Sequence, residues 1–152
     1  CWFAENLRSE FYVNGDSIPF KEGGYGTTNW QVNYGAQGVH SNSEINLTNY
    51  GRLYNFHAVI DERGLCPSGW HVPTDEEFMA LEVELGMSIE EAQNEGFRGG
   101  EVGTILKSTM SDEPQWNGSN ISGFSGLPGR YRDMNGYDAQ GSTPDPNGSS
   151  GW

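Results

Sequence analysis

One short segment late in the chain carries the oxygen ligands that calcium prefers. It reads Asp133-x-Asn135-Gly136-x-Asp138, and carboxylate and amide oxygens at alternate positions can converge on one Ca²⁺. The segment lacks the bidentate glutamate of an EF-hand and is too short to be one. Asn-Gly is also a strong hairpin signal, so a polar turn is the competing interpretation. Calcium held by Asp133, Asn135 and Asp138 is therefore one hypothesis, and no other cofactor is expected.

Aromatic side chains in polar loops form a second set, and such rings can stack on a sugar or pack on a protein. Trp116 precedes Asn117 in a Trp-Asn-Gly turn, and Tyr137 and Trp152 lie in or near the Gly- and Ser-rich final stretch. Binding residues tend to lie on loops held by a rigid scaffold. We therefore predict that these four residues and residues 139–152 line a contact surface. The alternative is that the tryptophans only anchor loops on the core.

The sequence shows no constellation of residues that is typical of an enzyme. Residues 123–126 lack the spacing of a serine nucleophile elbow. The three carboxylates at 75–77 begin a predicted helix, which explains them as capping residues rather than as a glycoside-cleaving pair. His40, His57 and His71 have no metal-ligand spacing with each other or with the cysteines. We expect a protein without catalytic activity.

The elements that must position these residues begin with two predicted helices. Leu53, Phe56 and Ile60 fall on one face at helical spacing, which predicts a helix from about residue 49 to residue 61. The second helix is predicted over residues 75–85 and begins after Pro73. Its buried stripe is predicted to be Phe78, Leu81 and Leu85. The two helices are expected to pack together through Phe56, Ile60, Phe78, Leu81 and Trp70.

The start of the second helix carries the clearest local signal in the chain. Thr74 is the N-cap and Glu77 follows three residues later, so the two residues make a capping box. Gly86 suits the end of this helix. Ser88 and Glu91 repeat the same pattern and predict a third, short helix.

The remaining segments are predicted to be short strands and loops. Asn14-Gly15 marks a turn within residues 1–20, which read as short β segments. Residues 21–49 read as a long ordered loop. From residue 99 onward the pattern favours β structure and loop, with residues 105–106 as one of the apolar segments.

Composition narrows the class of partner. A chain of 152 residues can bury one core. Its formal net charge of −13, with only 8 basic residues, repels nucleic acid and anionic membrane surfaces. No apolar run approaches the roughly 20 residues that cross a membrane. We therefore expect no nucleic-acid partner and no membrane span.

Several motifs in a fixed order are shared with one known family. The chain opens on Trp2-Phe3-Ala4-Glu5-Asn6-Leu7, and Gly123-Phe124-Ser125-Gly126-Leu127-Pro128-Gly129 lies near the other end. Between them lies a block from 50 to 81 whose centre is a structural motif built from Cys66, Pro67, Gly69, Trp70, Pro73, Thr74 and Glu77. This arrangement resembles the Fibrobacter succinogenes major paralogous domain, a bacterial extracellular module.

The resemblance implies a fold and a compartment. The family is similar to C-type lectins and to the formylglycine-generating enzyme: an α+β fold with two main helices on small twisted antiparallel sheets and long ordered loops. Its members are mostly secreted or surface-attached proteins of Bacteroidota and Fibrobacteres. Against that pattern, residues 1–152 look like a single lectin-like domain without its first strand and its closing C-terminal strands. The rest of the polypeptide or a neighbouring subunit is then one expected partner.

The resemblance also bears on the cysteines. Formylglycine-type oxidation needs a reactive cysteine pair in the late part of the domain, whereas the chain has only Cys1 and Cys66. In the family, the cysteine at the position of Cys66 pairs with a late cysteine that this chain lacks. The comparison therefore implies no Cys1–Cys66 disulfide.

These observations together favour a non-catalytic extracellular or cell-surface binding or structural module of a secreted bacterial protein. Its partner would be a protein or a glycan at the cell surface. Two alternatives stay open. One is a polysaccharide-binding accessory domain of a secreted enzyme, and the other is a subunit of a surface filament or adhesin.

Overall fold

The computed structural model describes residues 1–23, 30, 32–96, 98–129 and 131–132. Within these residues the protein is a small α+β protein, with five α-helices and one two-stranded antiparallel sheet. In chain order the elements are β1 (Gln37–Gly38), a short 3₁₀ helix (His40–Asn42), α1 (Glu44–Tyr50), β2 (Leu53–Tyr54), α2 (Phe56–Val59), α3 (Asp75–Glu84), α4 (Ile89–Ala92) and α5 (Gly100–Leu106).

The chain divides into two compact units. The helical unit contains Cys1–Ala4 and Pro73–Gly129, and therefore α3, α4 and α5. The loop unit contains Glu5–Val72 together with Tyr131 and Arg132, and therefore the sheet, α1 and α2.

The loop unit is organised around a short sheet and a small core. β1 and β2 pair with Gln37 opposite Tyr54 and Gly38 opposite Leu53. The core consists of Tyr12, Ile18, Ala58 and Leu65.

The hairpin predicted near the start of the chain is present in the loop unit. Phe11 and Ser17 form an antiparallel bridge, and Gly15 adopts φ +91° in the turn between them. A positive φ is readily adopted by glycine, since it has no Cβ. The prediction of a turn at Asn14-Gly15 is therefore confirmed.

The single helix predicted over residues 49–61 is wrong, and so is the long loop predicted over residues 21–49. Gly51 adopts φ +73° and ends α1, which begins earlier, at Glu44. The chain then extends as β2 to pair with β1, and a new short helix starts at the N-cap Asn55, whose side chain accepts from the Ala58 amide. The spacing resembled that of one helix because Leu53 in β2, Phe56 at the start of α2 and Ile60 at its C-cap are three and four positions apart.

The second predicted helix is confirmed as α3, Asp75–Glu84. The Thr74 hydroxyl accepts from the Glu77 amide at 3.3 Å, and the Glu77 carboxylate accepts from the Thr74 amide at 2.9 Å, which is the predicted capping box. At the other end Gly86 adopts φ +107°. Two further backbone bonds, Gly86 to Val83 and Met87 to Glu82, close the last turn.

The third predicted helix is present, but α5 was not predicted. Ser88 caps α4 by accepting from the Glu91 amide at 3.1 Å, while the Glu91 carboxylate accepts from the Gly99 amide. The prediction of β structure and loop from residue 99 onward is wrong at its start, where α5 stands. The two glycines of α5 (at 100 and 103) have low helix propensity, so packing rather than local preference stabilises this helix.

Packing through Phe56, Ile60, Phe78, Leu81 and Trp70 was predicted, and the exposure of these residues corrects it. Phe56 and Ile60 are 70% and 57% exposed. Leu81 packs against the core of the helical unit, whereas Phe78 and Trp70 stay partly open to solvent. The predicted buried stripe of α3 is wrong as well, since none of its residues is fully buried. Leu81 and Leu85 instead pack, partly buried, against a buried apolar cluster of Met87, Ala92, Val102 and Leu106.

Candidate functional site

The helical unit contains an open cavity of about 360 Å³. This volume falls in the range of about 300–1,000 Å³ that is usual for binding sites. It lies beside the apolar cluster of α4 and α5. Its lining residues are Asp75, Phe78, Glu82, Met87, Gly96, Arg98, Gly99, Val102, Gly103, Leu106 and Phe124. We call it the helical pocket.

The wall of the helical pocket is predominantly apolar. Val102 and Leu106 lie four residues apart in α5, so their side chains lie on one face of that helix. Phe78 and Phe124 contribute two aromatic rings, and the Trp2 ring packs on both, with centroid distances of 5.0 and 5.7 Å. The Trp2 indole therefore helps to hold both of the aromatic rings that line the cavity.

Charged groups at the edge of the helical pocket form one network. Arg98 donates through Nε to Glu82 Oε2 at 2.9 Å and through Nη2 to Asp75 Oδ1 at 3.3 Å. A third bond, from Nη1 to the Asn94 carbonyl, completes its anchoring. Hydrogen bonding to Glu82, and then to Asp75, raises the pKa of Arg98. The guanidinium thus joins the first turn of α3 to the segment before α5.

Gly103 leaves part of the helical pocket unfilled. A Cβ built at this position meets only Lys107 Cε, at 4.0 Å. At Gly99, by contrast, φ is +77° and a Cβ would collide with the Met87 methyl. Close packing there requires glycine, whereas Gly103 offers room that a larger side chain could occupy.

The charged groups that line the helical pocket are two carboxylates and one guanidinium. Its lining includes no serine, cysteine, histidine or lysine that could serve as a nucleophile. Its two carboxylates are both held by Arg98. Across the part of the chain that the structure describes, no three His, Cys, Asp or Glu residues lie together in a way that could hold a metal ion.

The predicted calcium ligands and most of the predicted contact surface lie outside the described residues. These are Asp133, Asn135 and Asp138 for calcium, and Tyr137 and Trp152 with residues 139–152 for the surface. Both hypotheses stay predictions.

The two remaining residues of the predicted contact surface, Trp116 and Asn117, lie in a hydrogen-bonded loop of the helical unit. The Trp116 amide donates to the Thr109 carbonyl, and the Gly118 amide donates to the Ser108 carbonyl. Trp116 is only 3% exposed, with Lys107 Nζ 4.9 Å from its ring centre, while Asn117 is exposed. Such burial is what the loop-anchoring alternative expects of Trp116; a ligand contact by this residue stays a prediction.

The structural motif around Cys66 forms a tight turn in the loop unit. The Trp70 amide donates to the Pro67 carbonyl at 2.9 Å, and Gly69 between them adopts φ +85°. Cys66 is a half-buried free thiol whose pKa is raised by burial. A thiol of raised pKa forms the nucleophilic thiolate less readily at neutral pH.

No residue that lines the helical pocket was proposed as a binding residue from the sequence, and α5, which supplies Val102 and Leu106, was not predicted at all. Arg98, Val102 and Leu106 were not proposed as site residues. The four-residue spacing of Val102 and Leu106 was the available signal. It was obscured by the glycines on either side of Val102.

Comparison with protein families matches residues 1–145 to the family described as the Fibrobacter succinogenes major domain. Because the match spans most of the chain, the protein belongs to this family. Comparison with curated proteins and with solved structures gave no match. No helix in the described ranges is long and apolar enough to cross a membrane.

Proposed function

We propose that this member of the Fibrobacter succinogenes major domain family is a non-catalytic extracellular or cell-surface binding module that docks a protein partner. The observation that carries the proposal is the helical pocket, an open apolar cavity with a charged edge. A surface or secreted location is what the resemblance to extracellular modules implies. We also propose, from the same resemblance, that the fold is C-type-lectin-like.

The chemistry of the helical pocket favours an apolar side chain next to a basic one. Phe78, Leu106 and Phe124 offer an apolar wall to an aromatic or aliphatic group. At the edge, two carboxylates (Asp75 and Glu82) face one guanidinium (Arg98), so the local charge is −1. The formal charge of the whole chain, −13, has the same sign. Charge complementarity therefore favours a partner segment in which lysine or arginine flanks the apolar residue.

Three short peptides test this specificity. The probe is a blocked Gly-Lys-Phe-Lys-Gly peptide, and its comparators replace Phe by Ser or both Lys by Glu. We expect the first peptide to bind and the other two to bind at least tenfold more weakly, as measured by isothermal titration calorimetry. Equal binding of all three, or of none, contradicts the proposal.

A matched pair of glycine variants ties the binding to the cavity. Gly103→Leu places a side chain where the cavity is open, whereas Gly100→Leu adds the same side chain to the same helix, where a Cβ meets nothing within 4 Å. Both variants gain helix propensity, about 0.5–1 kcal/mol per glycine replaced in a helix interior and less at a helix end. We expect Gly103→Leu to abolish peptide binding and Gly100→Leu to retain it. Loss in both variants, or in neither, would remove the helical pocket from the account.

A subunit of a surface assembly is a second candidate, favoured by the apolar side chains that the described residues expose. The clearest of them are Ile45, Phe56, Ile89 and Ile121. Ile45 and Phe56 belong to the loop unit, and Ile89 and Ile121 to the helical unit. A neighbouring subunit that covered such side chains would remove their apolar area from water. Sedimentation velocity over a hundredfold range of concentration tests this function. Concentration-dependent growth supports it, and a constant monomer contradicts it.

A further inference from the structure

The loop unit contains a second cavity, and its chemistry differs from that of the helical pocket. It measures about 340 Å³, and two phenylalanines, Phe11 and Phe20, contribute to its lining. Its polar lining includes Gln37 and Arg52. We call it the loop pocket. Since all its lining residues belong to the loop unit, it is a separate site.

The polar base of the loop pocket is held in place before any ligand arrives. Gln37 is 3% exposed and lies in β1, where its Oε1 accepts from Arg52 Nη1 at 2.8 Å. Arg52 also donates from Nε to the Arg8 carbonyl at 3.1 Å and forms an ion pair with Glu10. Anchored polar groups of this kind fix the orientation of a bound molecule at low entropic cost.

The two phenylalanines are unusually open for their type. Phe11 is 52% exposed and Phe20 is 47% exposed. Their backbones are fixed, because Phe11 bridges to Ser17 and Phe20 bridges to Gln37. Rings that are exposed yet anchored at the edge of a polar cavity offer flat apolar faces to a ligand.

Further polar groups of the loop pocket have hydrogen-bonding capacity to spare. Within the described part of the chain, the Ser17 and Ser43 hydroxyls and the Glu44 carboxylate make no hydrogen bond through their side chains. A hydroxyl can donate and accept, and a carboxylate accepts. Such groups are complementary to a ligand that itself carries several hydroxyls.

We propose that the loop pocket binds a neutral pyranose unit of a polysaccharide. A pyranose has apolar C–H faces, which suit Phe11 and Phe20, and a rim of hydroxyls that donate and accept. Two carboxylates (Glu10 and Glu44) against one guanidinium (Arg52) give a local charge of −1, which disfavours acidic sugars. This site goes beyond the peptide-docking function. Its failure would leave that function untouched, because the residues, the unit and the probes are different.

The direct test is titration of the whole chain with defined oligosaccharides, followed by two-dimensional NMR of the backbone amides. The probes are maltohexaose, cellohexaose and mannohexaose, with a galacturonate oligomer as the acidic comparator. We expect at least one neutral oligomer to bind and to shift the amides of Phe20, Gln37 and Ser43. No binding by any neutral oligomer, preference for the galacturonate, or shifts confined to other residues overturns the proposal.

Three phenylalanine variants then assign the contact. Phe11→Ala and Phe20→Ala each remove one ring at the loop pocket and should weaken binding about tenfold or more. Phe56→Ala is the matched control, since Phe56 is a 70% exposed ring of the same unit that does not line the cavity. Binding that is unchanged in Phe11→Ala and Phe20→Ala, or equally weakened in Phe56→Ala, would refute the assignment.

Discussion

The helical unit and the loop unit are each held together by a different kind of interaction. In the helical unit, four buried apolar residues on α4, α5 and the turn before α4 form the core, and five partly buried apolar residues pack around them. The loop unit has an equally small apolar core but adds bonds from long side chains to distant backbone carbonyls.

The arginines of the loop unit illustrate the second mode. Arg132 donates to the Lys21 and Val39 carbonyls, at 2.8 Å each, and stacks over the Trp30 ring at 4.9 Å. Planar guanidinium groups can make several directed bonds at once, so they can join segments that have little apolar surface to share. The helical unit therefore depends mainly on apolar contact area, whereas the loop unit depends on directed polar bonds between segments far apart in sequence.

The largest expected effect lies in the core of the helical unit. Leu106→Ala removes a buried side chain from the cluster with Met87, Ala92 and Val102. The free energy of unfolding should fall by about 2–5 kcal/mol, the usual range for leucine truncation in a core. Chemical denaturation provides the measurement. Ile121→Ala, at an 80% exposed position, serves as control and should be nearly neutral; equal effects would show that the core is misassigned.

In the loop unit the matching change is Arg52→Ala. Its side chain is 8% exposed, and its loss leaves the Gln37 Oε1 and the Arg8 carbonyl without their partner. We expect a loss of about 1–3 kcal/mol, the usual cost of leaving a buried polar group unsatisfied, because the Gln37 side chain is buried. Thermal melting measures it. A neutral result would show that directed polar bonds do not stabilise this unit.

Helix capping offers a smaller and sharper contrast. Thr74→Ala removes the hydroxyl that accepts from the Glu77 amide, while the backbone amide of residue 74 can still donate to the Glu77 carboxylate. The loss should cost about 1 kcal/mol, within the usual range of 0.5–2. Ser43→Ala is the matched variant at the start of α1, where no side-chain capping bond exists, and it should cost much less. If the two variants cost the same, the capping box contributes nothing measurable.

The smallest predicted effect concerns acid. The Arg63 side chain and amide hydrogen-bond to Asp61 and lower the pKa of that carboxyl, while bonds from Asn14 and Arg63 lower the pKa of Asp16. The unfolded chain therefore binds more protons than the folded chain between the lowered pKa values and the ordinary value of about 3.9. The stabilisation is present above that range and is lost as the pH falls from about 5 through the lowered values.

The variant Asp61→Asn tests this acid sensitivity. The difference in melting temperature between pH 7 and pH 3 should be smaller in the variant than in the unaltered chain. An identical pH dependence in the two proteins would mean that Asp61 does not contribute to it.

The same contrast explains what the sequence could predict. The starts of α3 and α4 could be predicted from local sequence, since Thr74, Glu77 and Ser88 each lie three residues from the amide with which they bond. The helix α5 was missed because its stability comes from packing and not from the propensity of its residues.

In the loop unit the determining contacts are distant in sequence and leave no periodic pattern. Arg132 bonds to a carbonyl 111 residues away, and Tyr54 bonds to one 45 residues away. Local spacing therefore predicted one helix where Gly51 and the pairing of β1 with β2 impose a break. The hairpin at Gly15 was predictable because its turn residues are contiguous.

The candidate sites show the same division. Trp116 and Asn117 were proposed from a local Trp-Asn-Gly motif, whereas the helical pocket is assembled from α3, the segment at Arg98, α5 and Phe124. No pattern of residue spacing in the sequence predicts that these separate segments come together in one cavity.

The most direct test of the helical pocket as a binding site is to locate where the Gly-Lys-Phe-Lys-Gly peptide binds on the whole chain. Two-dimensional NMR of the backbone amides during titration gives that location. The account predicts shifts at Phe78, from Arg98 to Leu106 and at Phe124, and their disappearance in Gly103→Leu but not in Gly100→Leu. Shifts confined to residues 5–72, or unchanged by Gly103→Leu, would contradict it.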